Sequence, residues 1–363
     1  MKRRVCYVVC YKDPEYIRTL TLVQALSRIE GIDLFVVKNR YRNILRYIEV
    51  PVKLIKARIK YQPEIFVVGF RAHEIFWAFY PSMVGKKIIF DEFINLHDWL
   101  TKEHEKISEN SFWIKIIDRY MKWVMKKSDI VLEDTEAHAE LSSIIYSTSP
   151  KKISVVPVGA DEKTFFPMSR KAGNKRLNVF FFGNMLPLHG LDIILQSISL
   201  MGGQQKLNDI HFTLIGGRGD PAMVKKIKDF IKLNKLSNYV TYSEWVAYHE
   251  LPNYIAQSDI CLGGPFGNTG QAQRVVTGKT YQFLAMAKPV IVGRIENMKD
   301  FKDKQNCLLV QQGNPPALAD TIKWAFNNKS KLLSIGKQGY NLYYAEYSAG
   351  VISKKLGAII QKL

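Results

Sequence analysis

Two cations stand five residues apart in AQRVVTGKTYQFLAMAKPVIVG, which covers residues 272–293. The apolar helix and strand predicted to follow do not need Arg274 or Lys279 for their burial. An arginine can hold an oxyanion through paired hydrogen bonds, and a lysine acts as a point charge. Gln282 stands about one helical turn after Lys279 and can hydrogen-bond a hydroxyl group. The pattern predicts an anion bound at a helix start, and its alternative is a solvated helix face beside a flexible loop.

Glycine-rich loops accompany this segment. GGPFGNTGQ (263–271) has four glycines in nine residues, and a glycine such as Gly267 lets a ligand approach the backbone closely. IGGRGD (215–220), with Gly216 and Gly217, lies where a predicted strand is followed by glycines and then by a predicted helix. It is not GxGxxG, so this stretch does not predict a dinucleotide site.

A third glycine loop, GNMLPLHGLD (183–192), joins a strand that ends at Gly183 to a helix that begins at Gly190. A helix N-terminus presents free N–H groups and partial positive charge, which suit a phosphate. His189 stands at this helix start, where it either donates to a phosphate oxygen or serves as an ordinary polar cap.

Acid and base candidates cluster after predicted strands of the first half. IIFDEF (88–93) places Asp91 and Glu92 at a strand's carboxyl end, with His97 soon after. Carboxylates in such a position can act as catalytic or acceptor-binding groups, and Asp91 is the better catalytic candidate.

EDTEAH (133–138) also follows a predicted strand, but helix capping by Asp134 or Thr135 is the favoured interpretation there. The seven histidines form no HxxxH or HxH pair, and no DxD motif stands in a loop. The sequence therefore predicts no metal site.

Short apolar, β-branched runs alternate with helical patterns from RVCYVVCY (4–11) to CLLVQ (307–311). Such runs form parallel sheets that are covered by helices on both faces. The alternation pauses in a stretch with Pro and Gly between 157 and 173, and 363 residues are too many for one compact core. We therefore expect an α/β protein with two doubly wound, Rossmann-like domains. Ligands bind at the carboxyl ends of strands in such sheets, which places the site in a cleft that the two domains face.

The formal net charge of +19 favours anionic partners. Seven cations and one anion lie between Arg40 and Lys60, with apolar residues at roughly helical spacing. This stretch, within residues 40–62, predicts contact with an anionic membrane, and residues 112–127 are a second candidate. The alternative for both is an ordinary surface helix. No run reaches the length needed to span a bilayer, and no nucleic-acid-binding motif appears. The four cysteines fall in apolar runs and are expected to be buried thiols.

Four motifs follow one another in the second half: FFGNMLPLHGLDIILQSI, HFTLIGGRGD, VTYSEWVAYHELPNYIAQSDICLG and QRVVTGKTYQFLAMAKPVIVG. With FDEFINLHD, SDIVLEDTEAHAE and VPVGADEKTFFP in the first half, they resemble the retaining family-4 (group 1) glycosyltransferases of the GT-B fold, over nearly the whole chain. The resemblance implies an acceptor-binding domain (1–165), a nucleotide-sugar-binding domain (174–345), and a last helix near 346–363 that packs back on the first domain.

The resemblance also implies roles for the candidate residues. The donor would be a nucleotide-diphosphate sugar, and the acceptor a glycan or a lipid-linked molecule at the cytoplasmic face of the inner membrane. Transfer would retain the anomeric configuration without a metal or other cofactor, because cations and helix dipoles stabilise the departing diphosphate. The catalytic candidates are Asp91, Arg274 and Lys279. The donor-binding candidates are Gly183, Asn184, His189, Gly190, Gly216, Gly217, Trp245, Val246, Gly267, Arg274, Lys279 and Gln282.

Two features of the family pattern differ in this chain. The first loop of the family usually carries an arginine and a lysine, where this chain has Asn184 and His189. The family's pair of glutamates seven residues apart corresponds to Val275 and Gln282. The two cations of 272–293 are expected to compensate by neutralising the diphosphate. Two alternatives stay open, which are a GT-B enzyme of another kind, such as a nucleotide-sugar epimerase, and a catalytically silent protein that binds a partner in its cleft.

Overall fold

The computed structural model describes most of the chain. The described residues are 2–169, 176–202, 208–295 and 298–363. The chain forms two compact units, of which the first comprises Met1–Gly159 and Ala349–Leu363 and the second comprises Ala160–Ser348. The first unit therefore ends before the predicted boundary at residue 165. Residues 170–175, which include the end of the predicted linker (157–173), lie outside the described residues.

The first unit is built on a parallel sheet of six strands. These strands are β1 (Arg3–Val9), β2 (Ile32–Lys38), β3 (Ile65–Val68), β4 (Lys87–Asp91), β5 (Ile130–Glu133) and β6 (Ile153–Val155). Their order in the sheet is β2-β1-β3-β4-β5-β6, and every pairing is parallel.

The second unit is built on another parallel six-stranded sheet. Its strands are β7 (Leu177–Gly183), β8 (Ile210–Gly216), β9 (Val240–Ser243), β10 (Ile260–Leu262), β11 (Val290–Gly293) and β12 (Leu308–Val310). Their order is β12-β11-β10-β7-β8-β9. The sheets confirm the predicted α/β class and the two doubly wound domains, because each predicted apolar run forms a strand.

Helices connect the strands and cover the sheets. The α-helical segments are α1 (Ile17–Ser27), α2 (Arg46–Tyr61), α3 (Phe76–Met83), α4 (Leu96–Asp98), α5 (Phe112–Lys127), α6 (Glu136–Tyr146), α7 (Leu191–Gly202), α8 (Pro221–Leu233), α9 (Leu251–Gln257), α10 (Gly278–Ala285), α11 (Pro315–Asn327), α12 (Lys329–Leu342) and α13 (Ala349–Gln361). None of the helices in the described ranges is both long enough and apolar enough to cross a bilayer.

The first sheet buries both of its faces, because successive side chains of a strand point in opposite directions. Val5 and Tyr7 of β1 pack in a core that includes residues of α1 and α13. Cys6 and Val8 of the same strand pack in a second core with residues of α2, α3 and α5. The last helix, α13, thus belongs to the first unit.

The core of the second unit has the same origin. Alternate residues of β7, namely Leu177, Val179 and Phe181, pack with apolar residues of α7, α8 and α11. The four cysteines of the chain are buried free thiols, as the sequence predicts. Pro221 at the first position of α8 and the Asp220 side chain, which accepts a hydrogen bond from the Met223 N–H, fix the start of that helix.

Candidate functional site

Two of the predicted glycine loops of the second unit lie against each other. Gly190 has a left-handed φ of 66°, and a Cβ atom there would lie 2.5 Å from the backbone nitrogen of Gly267. The N–H of Gly267 donates to the carbonyl oxygen of Leu188 at 3.0 Å. Only residues without a side chain allow this approach, so the two loops form one surface at the carboxyl end of β7.

Lys279 reaches this surface from α10. It is the second residue of the helix, and 6% of its surface is exposed. Its Cε lies 3.3 Å from the position that a Cβ atom of Gly183 would occupy, and its Nζ lies 5.3 Å from the centre of the Phe181 ring. Its ammonium group forms no hydrogen bond or ion pair with any described residue. Burial lowers the pKa of Lys279 from 10.5 to about 7.

The imidazole of His189 lies beside the same glycine. Its Nδ1 and Cε1 are each 3.1 Å from the Cβ position of Gly183. Burial, with the charge of Lys279, holds the pKa of His189 well below its usual 6.5, so the ring is neutral at physiological pH. Its Nδ1 is buried and has no hydrogen-bond partner among the described residues. A lysine and a neutral imidazole that both lack protein partners can receive the oxygens of an anion.

Arg274 and Gln282 flank Lys279 in sequence but have different surroundings. Arg274 is half-buried, and its Nη1 donates to the carbonyl oxygen of Gly270 at 2.9 Å. Gln282 is buried, and among the described residues its amide has no hydrogen-bond partner. The structure thus brings Lys279, His189 and Gly183 into direct proximity, while the guanidinium of Arg274 is anchored within its own turn.

The glycines after β8 adjoin the loop after β7. Gly216 pairs with Gly183 in the sheet, and a Cβ atom there would lie 1.9 Å from the Gly183 carbonyl oxygen. Gly217 has a φ of 93° and packs against the hydroxyl of Tyr242, which donates to the Gly216 carbonyl oxygen at 2.8 Å. Asn184 is exposed at the same edge of the sheet.

An exposed aromatic residue follows β9. Trp245 is 57% exposed, and the guanidinium of Arg218 stacks on its ring at 4.4 Å from the ring centre. Val246 beside it is half-buried. The N–H of Arg218 donates to the carbonyl oxygen of Glu244 at 3.2 Å, which ties this aromatic residue to the loop after β8. A stacked Arg–Trp pair is a suitable surface for a planar base.

Asp91 of the first unit, the sequence's catalytic candidate there, is completely buried in a structural ion pair. The guanidinium of Arg18 donates to Asp91 Oδ1 from Nη2 at 2.7 Å and from Nε at 3.0 Å. Arg18 also donates to the carbonyl oxygen of Pro157 at 3.1 Å. Neither side chain of the pair is exposed. This geometry argues against a catalytic role for Asp91, because its carboxylate is occupied in holding α1 to the sheet.

The neighbouring acids are buried as well. Thr135 caps α6 by accepting a hydrogen bond from the His138 N–H, as the sequence predicts, while Asp134 Oδ1 lies 2.7 Å from His138 Nδ1. Glu92 and Glu133 form a buried carboxyl pair, and burial raises the pKa of Glu92 to about 7. Within the described residues, Glu133, Asp134 and His138 are the group whose potential ligand atoms, within 4.8 Å of one another, could hold a metal ion.

A pocket of about 390 Å³ in the first unit escaped the sequence analysis. It is lined by Arg71, His73, Glu74, Leu96, Trp99, Leu100, Ile116, Ile117 and Tyr120. Its lining includes the buried His73, and neither ring nitrogen of this residue has a hydrogen-bond partner in the described chain. The motif RAHEIF that contains it has no distinguishing spacing, since the pocket comes from three separate segments.

The predicted membrane-binding stretch forms α2 with an unusual distribution of apolar residues. Its buried residues are Val50, Leu54 and Ala57. Six larger apolar residues are exposed by 44% to 74%: Ile44, Leu45, Ile48, Val52, Ile55 and Ile59. They lie among the seven cations from Arg40 to Lys60. Together, α2 and the residues just before it therefore present an apolar, cationic surface outward.

The second candidate stretch, α5, is divided between surface and core. Phe112 and Trp113 are exposed by 71% and 66% at its start. Trp123 instead packs against Phe76 and Tyr80 in the core, so this residue does not belong to a membrane-facing surface.

The chain resembles a known protein family in its second unit, and it resembles solved structures in its fold. Residues 176–328 match the family model described as glycosyl transferases group 1. An uncharacterized glycosyltransferase of Methanocaldococcus jannaschii is 28% identical over 160 residues, which are 44% of this chain and 41% of that protein. Mannosylfructose-phosphate synthase of Agrobacterium fabrum is 22% identical over 161 residues, 40% of this chain and 36% of that protein. The chain spans less than half the length of these curated relatives.

Solved structures match the fold over its whole length. The Anabaena protein HepE, crystallised in complex with UDP, has a TM-score of 0.72 and 14% identity, with full coverage of both chains. Sucrose-phosphate synthase from Thermosynechococcus elongatus has a TM-score of 0.72 and 14% identity over 99% of each chain. These matches confirm the GT-B fold, and the family model confirms the resemblance to group 1 glycosyltransferases.

Proposed function

We propose, on the premise that residues 176–328 form a group 1 glycosyltransferase domain, that this protein transfers a sugar from a nucleotide-diphosphate sugar to a glycan or lipid-linked acceptor. The observation that carries the proposal is the unpartnered, buried ammonium group of Lys279 beside the neutral imidazole of His189. A buried cation without a protein counter-ion is costly unless a ligand supplies the negative charge. A diphosphate bound at the loops of Gly183 and Gly190 supplies it.

The chemistry follows from the charge that develops as the glycosidic bond breaks. As the bond between the anomeric carbon and the diphosphate oxygen breaks, its electron pair passes to the diphosphate, which becomes more negative. Lys279 and the N-terminal N–H groups of α10 stabilise that charge, and Arg274 contributes a second cation. In this proposal these groups act in place of a metal. The acceptor hydroxyl oxygen bonds the anomeric carbon on the face that the diphosphate leaves, which retains the anomeric configuration, and the hydroxyl proton passes to the departing diphosphate oxygen.

The remaining donor contacts are assigned by chemistry. The partnerless amide of Gln282, one helical turn after Lys279, hydrogen-bonds a hydroxyl of the ribose or of the sugar. The nucleobase lies beside Trp245 and Val246, where Arg218 stacks on the indole. The UDP in the structure of Anabaena HepE supports a nucleotide as the ligand of this fold.

A nucleotide-release assay with a panel of nucleotide sugars tests the proposed activity. Lys279→Met and Arg274→Met should each lower release by at least about tenfold, since one preorganised electrostatic contact contributes several kcal/mol. Lys225→Met is the matched control, because Lys225 is exposed and pairs with Asp229 on α8. Unchanged release in Lys279→Met, or no release with any donor, would contradict the proposal.

We also propose that α2 holds the protein on an anionic membrane at the cytoplasmic face. Its exposed isoleucines enter the interface while its cations meet anionic headgroups, and each cation contributes about 1 kcal/mol to binding at low salt. Sedimentation with anionic vesicles tests this proposal. Ile48→Ser with Ile55→Ser should reduce vesicle binding about tenfold or more, whereas the control Leu333→Ser, an 82% exposed leucine of the second unit, should not. Equal binding of all three proteins would refute it.

A further inference from the structure

Exposed apolar residues of the first unit concentrate on one side of its sheet. Helices α2, α3 and α5 pack on that side, where they share a core with Cys6 and Val8 of β1. In addition to the exposed residues of α2 and of the segment before it, α3 exposes Trp77 by 63%, and α5 exposes Phe112 and Trp113. Helices α1 and α13 pack on the opposite side, and neither of them, although both are described in full, exposes a large hydrophobic residue.

The three helices start near the same edge of the sheet. Each of them follows the carboxyl end of one strand and ends shortly before the next parallel strand begins, so it runs antiparallel to the strands. Trp77 is the second residue of α3, Phe112 and Trp113 are the first two residues of α5, and Ile48 is the third residue of α2. We call these four residues the apolar rim. The rim lies towards the carboxyl edge of the sheet, which is where doubly wound sheets bind their ligands.

Cations accompany the apolar rim and indicate its partner. Helix α5 has five exposed cations, which are Lys115, Arg119, Lys122, Lys126 and Lys127. Its single acid, Asp118, lies with Oδ2 2.9 Å from His97 Nδ1. A second copy of the chain would bring like charges together in a symmetric contact, which is unfavourable. An anionic membrane complements both the cations and the apolar residues, because Trp, Phe and aliphatic residues beside Lys and Arg are typical of helices that lie in a lipid interface.

We propose that the apolar rim inserts into the membrane interface and sets the orientation of the protein on the membrane. This inference rests on the proposed function, in which α2 holds the protein on an anionic membrane, and it adds an anchor that salt does not screen. The cations attract the protein over about a Debye length, which is about 10 Å at 0.1 M salt, whereas Trp77, Phe112 and Trp113 bury apolar surface only on contact. The carboxyl edge of the first sheet then faces the lipid, so a lipid-linked acceptor reaches this edge from the membrane.

Fluorescence quenching by brominated lipids tests the insertion on the full chain. Anionic vesicles with brominated acyl chains quench tryptophans that lie close to the hydrocarbon. We expect them to quench the bound wild type, and Trp77→Phe with Trp113→Phe should lose most of this quenching but bind normally, since phenylalanine keeps an aromatic surface. Trp123→Phe is the matched control and should be quenched like the wild type, because Trp123 packs against Phe76 in the core. Bound wild-type protein whose fluorescence is not quenched would overturn the proposal.

Vesicle sedimentation at about 1 M salt, where the Debye length is about 3 Å, tests the energetic role of the rim. The wild type should retain part of its binding, and Phe112→Ser with Trp113→Ser should reduce this salt-resistant binding at least about tenfold. Tyr344→Ser is the matched control, because Tyr344 is an aromatic residue of the second unit with a similar exposure of 67%. Salt-resistant binding that is equal in the double variant and in this control would contradict the proposal.

The same measurements separate this inference from the proposals on which it rests. Binding to anionic vesicles at low salt without quenching would refute insertion of the rim and leave the membrane contact of α2 standing. No binding to anionic vesicles would refute both, while the nucleotide-release assay tests sugar transfer independently of the membrane. Sedimentation equilibrium without vesicles tests the other occupant. A dimer that Phe112→Ser with Trp113→Ser dissociates would show that a second copy of the chain covers the rim, and it would overturn the proposal.

Discussion

The uncompensated ammonium group of Lys279 provides a quantitative test of the candidate site. Burial lowers its pKa from 10.5 to about 7. That shift corresponds to ~5 kcal/mol at 1.36 kcal/mol per pKa unit, which is an upper limit to the cost of keeping the charge in the folded protein. Lys279→Met removes the charge but keeps much of the side-chain volume. At pH 6 we expect the variant to be more stable than the wild type by at least about 1 kcal/mol.

The sign of the pH dependence follows from the direction of the shift. Because the folded-state pKa of Lys279 lies below the unfolded value, the unfolded wild type binds more protons between about pH 7 and 10.5, and wild-type stability gains from this group as pH rises. The advantage of Lys279→Met should therefore be greatest below pH 7 and shrink towards pH 10.

Donor affinity should change in the opposite sense to stability. In the proposed function Lys279 contacts the diphosphate of the donor, so the affinity of Lys279→Met for a nucleotide sugar should fall at least about tenfold. Wild-type affinity should decline above pH 7, because the diphosphate favours the protonated lysine. Lys279→Arg stays charged throughout this range and should show a flatter profile.

Thermal unfolding between pH 6 and 9.5, with and without donor, measures both effects. For a unit of this size, 1 kcal/mol shifts Tm by about 2–4 °C. Lys288→Met is the matched control, because Lys288 Nζ donates to the carbonyl oxygens of Ala256 at 2.7 Å and Ser258 at 3.0 Å. This control should be less stable than the wild type and bind donor normally. A Lys279→Met variant that gains no stability at pH 6 and retains full donor affinity would refute a buried, anion-binding ammonium group at this position.

Three further substitutions test other parts of the molecule. Asp91→Asn breaks the buried pair with Arg18 and should lower the free energy of unfolding by about 3–5 kcal/mol in denaturant unfolding. A variant that is fully stable but has lost sugar transfer would instead indicate a catalytic role for Asp91. Gly267→Ala places a Cβ atom 2.3 Å from a backbone oxygen. This variant should therefore lose about 1–3 kcal/mol in the free energy of unfolding and bind donor more weakly. Gly357→Ala is the control and should show neither effect, because its Cβ atom meets nothing closer than 3.7 Å. Glu133→Gln removes one member of the buried carboxyl pair. Burial raises the pKa of the other member, Glu92, to about 7. The wild type should lose stability as pH rises through about 5 to 7, and this loss should be smaller in Glu133→Gln; identical pH profiles would exclude the pair as its cause.

Local patterns were sufficient to predict the fold and to single out residues that lie together in the candidate site of the second unit. Each apolar, β-branched run forms a parallel strand, and Thr135 caps its helix, because such features depend on neighbours in sequence. Lys279 could be singled out for the same reason, since a cation at a helix start that burial does not require is visible in the sequence. The sequence does not show that Lys279 lacks a counter-ion, because the partners of a buried side chain depend on every element packed around it.

Contacts between distant segments account for what the sequence did not reveal. Asp91 stands at a strand end like a catalytic acid, but its partner Arg18 is 73 residues away and occupies it completely. The pocket lined by Arg71, Leu96 and Ile116 was not predicted either, because it forms only where three separate segments meet. The apolar residues of α2 have helical spacing, yet spacing alone does not decide which face is buried, and most of its larger aliphatic side chains point to solvent.

Among the described residues, buried charged groups differ in whether the protein itself supplies their partners. Arg18 and Asp91 satisfy each other, so their burial stabilises α1 against its sheet and requires no ligand. Lys279 is buried without a hydrogen-bond partner or counter-ion among the described residues, and its desolvated charge is a cost that a bound anion offsets. The type of group determines the type of molecule, so the cation of the second unit calls for an anion. The diphosphate of a sugar donor is such an anion, which is why the proposed sugar transfer depends on Lys279.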